Sequence, residues 1–71
     1  MLYRVEYLCD DGKWFVYINA TFGRVWPAEK YARMEALNFS KDLKRYRICP
    51  VGTDVPVWQG GKYIESKEVT K

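Results

Sequence analysis

The residue types in this chain that could do chemistry are mostly cations, and they concentrate between residues 30 and 47. At ~100° per residue, the cations up to residue 44 share a sector about 80° wide on a predicted helix, with Leu37 in its middle and Met34 at its edge. Cations on one face can contact phosphates, and an apolar residue ringed by charge is typical of a protein interface. The candidate binding residues are Lys30, Arg33, Met34, Leu37, Lys41, Lys44, Arg45 and Arg47.

Side chains that commonly catalyse reactions are scarce. The chain has no histidine, and neither Cys9 nor Cys49 lies in a motif that would activate a thiol or bind zinc. The adjacent acids Asp10 and Asp11 precede Gly12, in a turn that prefers Asp for conformational reasons. We therefore expect no enzymatic activity, no metal and no cofactor. We also expect the cysteines to be reduced, with a disulfide between neighbouring strands as the alternative.

A β-hairpin should open the chain, because residues 2–8 and 14–19 alternate in polarity around an Asp-Gly pair. Asp-Gly favours a two-residue type I′ turn, which would place Cys9 opposite Trp14 and Tyr7 opposite Val16. One sheet face would then be uncharged and available to a helix. The predicted helix-facing residues are Tyr3, Val5, Tyr7, Trp14, Val16 and Ile18.

One helix is predicted over residues 27–44, beginning at Pro27, which lacks an N–H that a first helical residue would not use. Its apolar stripe consists of Ala28, Ala32, Ala36, Phe39 and Leu43, with Tyr31 beside it. Glu35 falls near that stripe, either at its rim or as a buried acid that needs a partner. The helix could instead end near Ser40, and Lys41 and Lys44 would then belong to a loop.

Shorter extended segments complete the predicted fold. Residues 46–51 are expected to form a strand that Pro50 limits, and residues 55–58 a second short extended piece. Trp26 should close one end of the core before the helix, and Trp58 should plug the sheet. The prediction is a single domain, 1–71, of α+β class, in which one helix packs on one face of a small antiparallel sheet in the order ββαβ(β). The ordered core is expected over residues 2–59, with a loose tail at 60–71.

Charge and hydropathy narrow the partner classes. Acids and bases balance over residues 1–40, so the net charge of +3 lies in residues 41–71. This asymmetry favours an acidic protein or a nucleic acid as partner, and a solvated helix end is the simplest alternative. Because no early apolar run is long enough for a signal peptide or a membrane span, we expect a cytoplasmic protein without membrane contact.

The layout of the chain resembles that of small bacteriophage-encoded accessory proteins. The resemblance covers residues 3–49: Tyr-Arg-Val-Glu-Tyr from Tyr3, Asp-Gly-Lys-Trp from Asp11, an Ala-rich helix, and Tyr-Arg-Ile from Tyr46. It implies a host-takeover or anti-defence inhibitor that acts in the cytoplasm of a bacterial host by binding a host protein or a nucleic acid. It assigns no functional residues, because such proteins share no common site.

Two functions follow as expectations. The first is a non-catalytic binding protein that modulates a host protein through the mixed cationic and apolar helix face. The second is a small RNA- or DNA-binding protein that uses the basic residues between 30 and 47. The oligomeric state stays open, and pairing of two copies through a free strand edge is an additional alternative.

Overall fold

The computed structural model describes residues 1–64 and, for Ile18, the backbone alone. Within this range one helix packs on one face of an antiparallel sheet whose strand order is β2-β1-β3-β4-β5. The predicted α+β class and the ββαβ order are therefore confirmed. The elements are β1 Tyr3–Leu8, β2 Trp14–Phe22, α1 Val25–Asn38, a 3-10 helix Leu43–Arg45, β3 Tyr46–Pro50, β4 Trp58–Gln59 and β5 Lys62–Tyr63.

The hairpin turn is one residue longer than predicted. The Cys9 N–H donates to the Lys13 carbonyl at 2.8 Å, and the Gly12 N–H donates to the Cys9 carbonyl at 3.0 Å. Gly12 adopts φ 87°, the left-handed conformation that ends a three-residue loop with a bulge. The predicted register is therefore wrong by one position: Leu8 pairs with Trp14, and Glu6 pairs with Val16.

This shift changes which residues of β2 face the helix. Trp14 and Val16 share the sheet face of Glu6, away from α1, so their predicted contact with the helix is wrong. The predicted contacts of Tyr3, Val5 and Tyr7 with the core are confirmed. The predicted contact of Ile18 lies outside the described side chains. Between Glu6 and Arg4 the pairing jumps from Val16 to Thr21, so the middle of β2 bulges.

Helix α1 begins two residues before Pro27, at Val25, and ends at Asn38. Ser40, at φ 53°, reverses the chain, and the Lys41 N–H donates to the Ala36 carbonyl at 2.8 Å. This is the Schellman ending of a helix, formed without the usual glycine. The predicted range 27–44 is thus wrong at both ends, and the alternative end near Ser40 is confirmed. No helix in residues 1–64 has the length and apolarity that a membrane crossing requires.

Alanines hold α1 close to the sheet. Ala28, Ala32 and Ala36 are buried, and they pack with Val5 of β1 and with residues of β3 and β4. Small side chains permit this close approach, and Trp58, Tyr46 and Ile48 supply most of the buried volume. Trp58 is fully buried in this core, so its predicted role in filling the sheet is confirmed. Phe39, predicted to belong to the apolar stripe, is exposed, because α1 has ended before it.

The opposite sheet face carries a buried ion cluster. The Glu6 carboxylate is 2% exposed and lies between the guanidinium groups of Arg4 and Arg47. Arg4 also donates to the backbone oxygens of Pro50 at 2.9 Å and Thr53 at 2.7 Å. The cluster therefore ties the segment after β3 to the centre of the sheet.

The chain beyond residue 59 is more regular than predicted. Gly60 and Gly61 form a turn, and β5 pairs with β4 through Trp58↔Tyr63 and Gln59↔Lys62. The loose tail was predicted from residue 60 onward, but residues 60–63 form the turn and the second strand of this hairpin. The rest of the predicted tail, residues 65–71, lies outside the described residues.

Candidate interaction surfaces

The side of α1 that points away from the sheet mixes apolar and cationic residues. Relative to the buried Ala28, Trp26 and Leu37 lie at about 160° and 180°, and Arg33 and Lys30 lie on either side of them. Trp26 is 65% exposed and Leu37 is 74% exposed. We call this surface the outer helix face: Trp26, Lys30, Arg33, Met34 and Leu37.

A cation–π contact, an ion pair and a hydrogen bond hold the side chains of this face in place. The Lys30 Nζ atom lies 5.6 Å from the centre of the Trp26 ring, a cation–π arrangement. Arg33 forms an ion pair with Glu29 one turn earlier, at 3.0 Å. Tyr63 donates its hydroxyl to the same carboxylate at 2.7 Å, and this hydrogen bond is the main cause of the lowered pKa of Glu29. The β4–β5 hairpin therefore braces the helix beneath the outer face.

The loop after α1 extends the surface. Arg33 and Leu37 line a shallow depression together with Ser40, Lys41 and Leu43. Lys41 follows the helix ending, so the structure places it beside the outer helix face. Lys44 is exposed in the 3-10 helix, where its N–H donates to the Asp42 carboxylate at 2.9 Å.

Two of the predicted cations lie elsewhere. Arg45 donates to the Leu8 carbonyl at 2.7 Å and forms an ion pair with Asp10 at 3.2 Å, next to the first turn. Arg47 lies on the far sheet face, 2.6 Å from Glu6 and 3.9 Å above the Trp14 ring. The prediction of one continuous basic patch over residues 30–47 is therefore wrong.

Trp26 is an exposed aromatic residue of this face that is not among the predicted binding residues. Its predicted place, in the connection before the helix at one end of the core, is wrong. The signal was present, because extending the helical periodicity back by two residues places Trp26 in the same sector as Leu37. Because the helix begins at Val25, the indole points outward.

The two thiols are separate, and the surroundings of Cys49 disfavour nucleophilic chemistry. Cys49 pairs across the sheet with Arg4, whereas Cys9 lies beyond the far end of β1, so both are free. Burial, and then the charge of Glu6, raises the pKa of the Cys49 thiol. A raised pKa disfavours the reactive thiolate. No group of three or more metal-ligating side chains occurs in the described part of the chain.

Comparisons with known proteins found no matching family model, no matching curated protein and no matching solved structure. Function must therefore be argued from these surfaces.

Proposed function

We propose that this protein is a non-catalytic binding module whose outer helix face engages a partner protein. The observation that carries the proposal is the exposure of Trp26 and Leu37, at 65% and 74%, in the same sector of α1 about three turns apart, opposite the buried alanines. Isolated exposed apolar residues are ordinary, but a Trp, a Met and a Leu exposed on one side of a single helix of fourteen residues are a concentration that favours an interface.

The composition of the face supports a protein partner. Trp and Arg are enriched among the residues that carry binding energy, and a charged rim around an apolar centre is the usual anatomy of an interface. Burying the exposed parts of Trp26 and Leu37 would contribute on the order of 3–5 kcal/mol before the costs of association. That amount suits an anchor pair within a larger contact.

The charges favour an acidic partner. Lys30 and Lys41 form no ion pair with any acid in residues 1–64, and Arg33 shares Glu29 with Tyr63. An acidic surface with apolar anchors would complement this arrangement and would speed association. If the resemblance to phage accessory proteins extends to function, the partner is a host protein in the bacterial cytoplasm and the module inhibits or modulates it.

A pull-down from nuclease-treated bacterial lysate tests the proposal. Leu37→Asp replaces the most exposed apolar side chain of the face with a charge and should abolish capture of the specific partner. Val55→Asp is the matched control, because Val55 is 70% exposed and lies outside the outer helix face. If the Leu37→Asp protein is folded and still captures every partner of the wild type, the helix face is not the binding surface.

Binding to nucleic acid remains the second proposal, now with fewer cations. Lys30, Arg33, Lys41 and Lys44 stay exposed near α1, whereas Arg45 and Arg47 are engaged elsewhere. Titration of single-stranded and duplex RNA and DNA at rising salt separates the proposals, because phosphate contacts weaken steeply as salt is added. Salt-sensitive binding that Lys30→Glu removes and Leu37→Asp leaves intact would favour nucleic acid.

A further inference from the structure

A second surface lies between α1 and the first hairpin, away from the outer helix face. The rings of Tyr7 and Tyr46 lie 5.1 Å apart and tilted, and Tyr17 stacks on Tyr46 at 6.4 Å with an angle of 13° between the rings. Exposed Phe39 borders these rings where the helix ends. We call this surface the tyrosine groove: Tyr7, Tyr17, Glu35, Phe39, Lys41 and Tyr46.

Glu35 is the unusual member of the groove. It is half-buried, and it forms no ion pair with any cation in residues 1–64. The other acids of that range are engaged: some form ion pairs, and Asp11 and Asp42 accept backbone N–H groups in turns. Glu35 therefore places an anionic carboxylate among aromatic rings without a cation bound to it.

The charge of Glu35 contributes to the raised pKa values of two nearby tyrosine hydroxyls. Burial, and after it the charge of Glu35, raises the pKa of Tyr31. Burial and contact with Tyr17 raise the pKa of Tyr46, and Glu35 adds to that effect. These phenols therefore stay neutral at physiological pH and add no negative charge next to the groove.

Lys41 shows what the groove attracts. Its Nζ atom lies 5.6 Å from the centre of the Tyr7 ring, at the mouth of the groove. Lys41 is exposed and belongs to the loop after α1, so its side chain can leave without disturbing the core. A negative ring face and a nearby carboxylate together favour a cation.

We propose that the tyrosine groove binds a methylated ammonium group, with Glu35 as the counter-charge and the half-buried Tyr7 and Tyr17 and the exposed Phe39 as the aromatic wall. The buried Tyr46 packs against Tyr7 and Tyr17 and holds that wall in place. A methylated ammonium suits the groove better than a primary amine, because its methyl groups contact rings and it gives up less hydration. Lys41 acts as an internal competitor for the same wall. This site shares no residue with the outer helix face, and Lys41 lies between the two surfaces.

Two-dimensional NMR of the uniformly labelled protein tests the site, with tetramethylammonium, choline and a trimethyl-lysine peptide as probes. The control ligand is 3,3-dimethylbutanol, which has the shape of choline without its charge. We expect the cations, and not the neutral alcohol, to shift the resonances of the groove. Tighter binding of the peptide than of choline would assign the ammonium to a modified lysine side chain, and the reverse order to a small molecule.

Two variants of the groove should change its affinity for the cation in opposite directions. Glu35→Gln keeps the shape and should weaken cation binding about fivefold or more, whereas Lys41→Met should strengthen it. Glu29→Gln, the same substitution on the same helix but outside the groove, should leave affinity unchanged. Misfolding cannot produce the gain expected for Lys41→Met. Equal shifts with the neutral alcohol, or unchanged affinity in both groove variants, would overturn the proposal.

Discussion

Glu6→Gln should be among the most destabilising conservative substitutions in this domain. Glu6 is 2% exposed, and its two carboxylate oxygens each accept from a guanidinium, that of Arg4 on one side and that of Arg47 on the other. Gln keeps the shape but removes the charge and one acceptor. Arg47, only 13% exposed, would then remain as a largely buried cation without a counter-charge. Arg4, 14% exposed, would keep only the exposed carboxylate of Asp54, at 3.2 Å.

The magnitude follows from burial. Breaking a buried ion pair by removing one partner costs about 3–5 kcal/mol, and the residual exposure of both arginines places this case near 3 kcal/mol. A domain of 71 residues is stable by roughly 4–10 kcal/mol, so the loss is a large fraction of the total. With a urea m-value of about 1 kcal/mol per molar, the unfolding midpoint should fall by about 3 M.

Urea unfolding followed by far-ultraviolet circular dichroism measures this loss. Glu29→Gln is the matched control, because it breaks a pair whose Arg33 is 51% exposed, and it should cost less than about 1 kcal/mol. A wild-type midpoint for Glu6→Gln would refute the account of the cluster.

An apolar replacement of the whole cluster separates charge from packing. The triple variant Arg4→Met, Glu6→Leu, Arg47→Met leaves no unpaired charge in the cluster, since Asp54, the other partner of Arg4, is 92% exposed. It should be about as stable as the wild type. If the triple variant loses as much stability as Glu6→Gln, shape rather than charge holds the cluster together.

Three further predictions test the register, the packing and the pH dependence. Val5→Asp should unfold the domain, because Val5 is fully buried, whereas Val16→Asp on the half-exposed opposite face should stay folded. NMR peak dispersion distinguishes the two, and an unfolded Val16→Asp protein would contradict the register. Ala32→Leu should lower the free energy of unfolding by about 2 kcal/mol, since no space separates α1 from the sheet; a urea midpoint equal to that of the wild type would show a looser contact. Tyr63→Phe removes the main cause of the lowered pKa of Glu29, whose ordinary value is 4.5. A lowered carboxyl pKa contributes stability that is fully present above the ordinary value and is lost as the pH falls through the lowered value of the folded state. The variant should therefore be less stable than the wild type at pH 7 and equal to it in strong acid.

The sequence was sufficient for the class of fold and for the order of its main elements. The alanines at four-residue spacing identified the buried side of α1, and the alternation of β1 identified its core residues. These patterns are strong because burial acts on many residues at once.

The register of the hairpin was not determined in the same way. Asp11-Gly12 suits both a two-residue turn and the three-residue turn that the chain adopts, and both place Gly12 at positive φ. Polarity could not choose between them, because Trp14, Phe15, Val16 and Tyr17 are all apolar or aromatic. With both faces of β2 apolar, a slip of one residue exposes no charge to the core.

The candidate site was predicted in part. Met34 and Leu37 lie on the outer helix face as predicted, and Lys41 lies next to it. The end of α1 could not be located because Ser40, rather than a glycine, takes the left-handed conformation. The position of Arg47 could have been predicted from the sequence, since strand alternation after Tyr46 places it on the opposite face from Ile48.

The position of β2 at the edge of the sheet has a consequence for handling the protein. Its nine residues contain no charge and no proline, the two devices that most often keep strand edges of different molecules apart. The bulge between its two paired stretches takes over that protective role, because an irregular backbone cannot template a regular ladder. We therefore expect substitutions that remove this bulge to make the pairing of β2 with β1 more regular and, at the same time, to make the free edge of β2 more prone to pair with a second molecule.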